Sequence, residues 1–92
     1  MTDSWAALSV DLTCLCAGFR GMRDRANELG VSVLSANLDL RLNRLLDEKQ
    51  AVEAIIREKQ TGEWSETTFR DQCKIAQMIL RHADAELDKI GK

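Results

Sequence analysis

Apolar residues recur at alternating steps of three and four along almost the whole chain, and no proline interrupts them. Because a helix turns once in about 3.6 residues, that spacing gathers the apolar side chains into one stripe along a helix. Three segments carry the pattern. In the first, Trp5, Leu8, Leu12, Leu15, Phe19, Met22, Ala26 and Leu29 follow one another without a break. The second places Leu34, Leu38, Leu42, Leu45, Val52, Ile55 and Ile56 on one face. The third runs Phe69, Cys73, Ala76, Leu80, Ala83, Leu87 and Ile90, with Ile75 and Ile79 widening its face.

End signals divide the chain at the same places. Asp3 or Ser4 is suited to cap the first helix, and Gly30 to end it as a left-handed residue. Ser32 or Ser35 is the expected N-cap of the second helix, and Gly62 its stop. Ser65 is the expected N-cap of the third, with Trp64 and Phe69 forming a hydrophobic staple and Glu66 pairing with Arg70 one turn on. Arg57, Lys59, Lys89 and Lys92 sit where cations favour the negative end of a helix dipole.

The expected fold is therefore all-α, an antiparallel up-down-up three-helix bundle with helices over 4–29, 33–60 and 66–90. Gly18 and Gly21 mark where the first helix would kink or break, since each glycine costs about 0.5–1 kcal/mol relative to alanine. With 92 residues the chain has length for one core, so 1–92 reads as a single domain.

The totals narrow the function classes. A net charge of −2 with pI near 5.3 lacks the basic excess that phosphate neutralisation demands, which makes a nucleic-acid partner unexpected. Three cysteines in a chain with a good apolar pattern argue against a disulfide framework and for a reducing compartment. The start of the chain has no positive n-region, and the apolar run from Trp5 to Phe19 contains Asp11 and is too short to span a bilayer. A soluble cytoplasmic protein without membrane attachment is the expectation.

The first segment holds more apolar surface than two sibling helices can cover. Between Ser4 and Phe19 its only charge is Asp11, and a second stripe of Val10, Cys14, Ala17 and Gly21 runs opposite the leucines. The second segment repeats this more weakly with Val33, Ala36, Leu40, Ala51 and Ala54. Scattered alanines on a helix surface are ordinary. A chain in which Val10, Cys14, Ala17, Gly21 and Leu40 meet another protein, or a second copy, accounts for the surplus more directly. Trp5 is either an aromatic anchor of that contact or the first layer of the core, the latter being favoured.

No residue pattern points to catalysis, and neither a cofactor nor a metal is expected. Cys14 and Cys16 are two apart, about 200° around a helix, and cannot chelate one ion together. Cys73 falls in the third core stripe, and His82, the only histidine, has no nucleophile at a motif spacing. Arg70, Lys74 and Arg81 line one face of the third helix and offer a phosphate or an acidic partner a possible contact, although Asp84 and Asp88 continue that face with opposite sign.

Two local resemblances complete the reading. Ala26-Asn27-Glu28-Leu29-Gly30-Val31-Ser32 resembles the A-x-x-L-G-V-S turn of helix-turn-helix DNA-binding domains, which implies a recognition helix after it. The pattern departs at Asp39, a charge where that helix needs an apolar anchor. Leu42, Leu45 and Leu46 resemble the L-x-x-L-L-x-x-R stretch of helical chorismate mutases, which implies a mutase site, but Lys49 stands in the arginine's place. The function expected from the residues is non-enzymatic protein binding, as a small adaptor, chaperone or inhibitor-like protein that self-associates through its first helix. The alternative is nucleic-acid or nucleotide binding through the basic stripe of the third.

Overall fold

The computed structural model describes residues 4–91 and contains three helices among them: α1 (Ser4–Glu28), α2 (Ser32–Arg57) and α3 (Glu66–Ile90). Cross-helix contacts fix their directions. Arg23 of α1 meets Asp39 of α2, and the charges of Lys49 and Glu48 act on Cys16 a few turns away, so α2 runs antiparallel to α1. Asp11 meets Arg70, and Arg25 meets Asp84 and Asp88, so α3 runs parallel to α1. The result is an up-down-up three-helix bundle, an elongated body of 47 × 20 × 16 Å.

The core lies where the three stripes converge. Leu8, Leu12, Phe19, Ala26, Val52, Ala76 and Leu87 are fully out of water, and Trp5, Leu38, Leu42 and Leu45 nearly so. Trp5 closes one end of the core edge-on to Phe69, with ring centroids 5.8 Å apart and an interplanar angle of 67°. It is thus a core layer. Trp64 remains more than half exposed, and Phe69 takes Trp5 as an aromatic partner.

α1 is continuous through Gly18 and Gly21, without the break those glycines raised as a prospect. The reason differs at the two positions. A β-carbon at Gly18 would come within 3.0 Å of a Leu80 methyl, so the glycine lets α3 approach closely. A β-carbon at Gly21 would meet nothing within 4 Å.

The helix ends partly follow expectation. Gly30 adopts φ 77°, and the bonds Gly30 N–H to Asn27 C=O and Val31 N–H to Ala26 C=O form a Schellman ending. The end of α2 copies that motif without a glycine. Lys59 takes φ 57°, with Lys59 N–H to Ile56 C=O and Gln60 N–H to Ile55 C=O, so α2 stops at Arg57 and not at Gly62. The N-cap of α2 is Val31, with no side-chain cap; Ser32 is already helical, and the Ser35 hydroxyl turns to the Arg23 carbonyl at 3.4 Å. Ser65 occupies the N-cap of α3 as expected, but its hydroxyl makes no capping bond. Ser4 is the first residue of α1 and donates to Glu66 at 2.6 Å, while Asp3 and Lys92 lie outside the described residues.

Candidate functional site

The residues expected at a contact surface are indeed on the outside of the single chain. Val10 is 61% exposed, and Cys14, Ala17 and Gly21 are also open to water on the flank of α1 facing away from both neighbours. Leu40 is 69% exposed on α2. It stands two residues from buried Leu38 and Leu42, on the outward face of its own helix. Outward faces of two helices in a bundle diverge, so Leu40 does not extend the α1 stripe into one patch.

A larger opening lies between α2 and α3, and it arises from what each helix offers the other. α3 presents Ile75, Met78 and Ile79, while Asn37 and Arg41 of α2 share the opposite wall with Leu34 and Leu38. A polar line cannot bury itself against isoleucines without losing its water, so the two helices lean on α1 and not on each other. The cleft left between them has a volume of about 600 Å³, within the range of ligand and peptide grooves. Ile75 stays 44% exposed and Met78 58% exposed along its rim. His82 and Glu86 of α3 complete the lining. Neither Arg41 nor Glu86 has an ion-pair partner among the described residues.

Glu48 lies further along α2, where its charge reaches both interior thiols. Its Oε2 atom is shut away from water and has no hydrogen-bond partner. Burial pushes its carboxyl pKa upward, against the opposing pull of Arg44 and Arg41. Burial likewise raises the Cys16 and Cys73 thiols. Cys14, two residues from Cys16, faces out, as their angular separation requires.

The stripe Arg70, Lys74 and Arg81 is divided by the fold. Arg70 is committed to its own bundle: it pairs with Glu66, lies 3.7 Å from Asp11, and donates to the Ser4 carbonyl at 2.9 Å. Asp84 and Asp88 hold Arg25 at 3.0 and 2.6 Å. Lys74 and Arg81 remain exposed and have no such partners among the described residues, Arg81 beside a smaller depression of about 420 Å³ between α1 and α3. Near the end of α1, Arg23 reaches α2 and Arg25 reaches α3.

The two local resemblances lead to no matching site. α2 lies antiparallel along α1 and Asp39 is tied to Arg23 at 2.8 Å, an arrangement unlike the crossed pair of a helix-turn-helix. Lys49, in the place of the mutase arginine, pairs with Glu53 at 3.6 Å. Among the described residues no group of three or more histidine, cysteine, aspartate or glutamate side chains is placed to hold a metal. Among the same residues no helix is long and apolar enough to cross a membrane.

The cleft itself was not legible as a site, although one signal for it was present. Ile75 and Ile79 widened the apolar face of α3 beyond what a single stripe requires, and the α2 wall opposite interrupts Leu34 and Leu38 with polar Asn37 and Arg41. No protein-family model, no curated protein and no solved structure matches this chain.

Proposed function

We propose that this chain is a non-enzymatic protein-binding module, a small adaptor, chaperone or inhibitor-like protein whose contact surface is the cleft between α2 and α3. The observation that carries this reading is the exposure of Ile75 and Met78 along an apolar groove between two helices. An amphipathic helix laid in such a groove buries its apolar face, and methionine adapts to the shape of what enters. Arg41, His82 and Glu86 in the walls are suited to orient a partner, and among the described residues no group of histidine, cysteine and carboxylate side chains is placed to hold a metal.

Affinity capture from the source cells with the parent and with a Met78→Glu variant tests the reading. A partner retained by the parent and lost by a helical, folded variant is expected. The same proteins retained by both would overturn it.

A second reading, self-association through the α1 flank, is favoured by exposed Val10 and the open space around Gly21. Val10→Glu lowering the solution mass would support it, and an unchanged mass would dismiss it. The basic stripe offers less, because Arg70 is already engaged within the bundle.

A further inference from the structure

We infer that the occupant of the α2–α3 cleft is a second copy of this chain, the two molecules packing face to face so that α2 of each lies over α3 of the other. This rests on the cleft being the contact surface, and adds the identity of what fills it.

Charge is the first argument. The α2 wall carries Arg41 and the α3 wall carries Glu86, neither in an ion pair among the described residues. Both face the last third of α1: the Arg23–Asp39 contact fixes the level of the first, and the contacts of Arg25 to Asp84 and Asp88 that of the second. A two-fold axis running along the cleft exchanges the walls, so Arg41 of one copy stands beside Glu86 of the other, twice. The surface is thus complementary to itself, as an isologous contact must be. A strongly charged partner would find no matching field there, since the one cation and one anion cancel.

Apolar content and size are the second. Half-buried Leu34 on one wall and Ile75, Met78 and half-buried Ile79 on the other would pack across the axis, over a floor that includes buried Leu38. Together the four helices at the contact would form the layered bundle that each copy alone leaves open. The body is 47 Å long and 20 Å across, so a contact continued along that side beyond the cleft residues 31–41 and 75–86 would reach the roughly 800 Å² per partner of a standard interface.

Sedimentation equilibrium with charge-reversed variants tests this. The parent is expected to be a dimer at tens of micromolar. Arg41→Glu and Glu86→Arg should each weaken it about tenfold or more, because each sets two like-charge pairs against one another. An equimolar mixture of the two variants should recover the dimer, since every cross-axis pair is then of opposite sign. That recovery also shows that neither variant has simply unfolded. A parent that stays monomeric at 100 μM, or a mixture no tighter than the single variants, overturns the proposal. If a monomeric parent still captures a cellular protein in a Met78-dependent manner, self-association falls and the binding-module reading stands. A dimer that ignores all three cleft substitutions but is lost in Val10→Glu overturns it too, and moves the contact to α1.

Discussion

Glu48 is the residue whose environment departs furthest from what its type prefers. Burial raises its pKa, and one buried oxygen has no hydrogen-bond partner to replace the water it loses. Because the folded value lies above the unfolded one, its penalty is full above the raised value and is relieved as pH falls through it. Below about 4.3, where the unfolded chain is protonated too, it contributes nothing. Glu66 has the opposite sign. The Ser4 hydroxyl, then Arg70, lowers its pKa, so it stabilises at neutral pH and that contribution is lost as pH falls through its depressed value. Glu48→Gln is therefore expected to raise the melting temperature at pH 7, with the gain shrinking toward pH 4. An equal gain at both pH values would refute this account. The glycines give a second prediction at this scale. Gly21→Ala should gain about 0.8–1.0 kcal/mol of helix propensity, or about 4–8 °C in melting temperature. Gly18→Ala should gain clearly less, because its new methyl must displace Leu80. Thermal melts showing the two variants alike would contradict the close approach of α3 at Gly18.

Among the elements, α3 is the least anchored. Its buried residues are mostly small, Cys73, Ala76 and Ala83 with Leu87, whereas α1 and α2 bury leucine, phenylalanine, valine and isoleucine. α3 also has the cleft on one side, leaving α1 as its main support. Amide exchange in α3 should therefore run on the order of tenfold faster than in the centres of α1 and α2, equivalent to about 1.4 kcal/mol. Arg25→Ala should speed exchange further over residues 83–90, and added salt should narrow that difference, since Arg25 holds Asp84 and Asp88 at the surface. Uniform protection across the helices would argue against this ranking. The existence, order and approximate bounds of the helices were legible because periodicity records which face is buried. Three things were hidden. The stop at Lys59 depends on one residue accepting a left-handed backbone that glycine was expected to supply. The tie of Arg70 to Asp11 joins residues far apart in sequence. The cleft depends on which flank of α2 turns toward α3, and a single-helix pattern does not carry that information.

For the molecule as a whole, α1 is the spine: α2 and α3 each pack against it, and they meet each other little because polar Asn37 and Arg41 face isoleucines. Two kinds of surface are left over, a groove with large apolar side chains and a flank with small ones, and they face different directions. One copy can thus engage two neighbours without the contacts competing for space.

The parallel course of α1 and α3 bears on how the rod would carry load. Ser4 sits beside Glu66 at one pole, while Ile90 lies at the far pole beyond the grip of Arg25 on Asp88. A pull applied between Ser4 and Ile90 would drag α3 lengthwise over α1 and strain Arg70, Leu80 and Arg25 contacts together, where a hairpin pulled from its open end peels one contact at a time. Tension along the long axis would meet collective resistance, and anything attached at the two poles would be held apart by the length of the bundle.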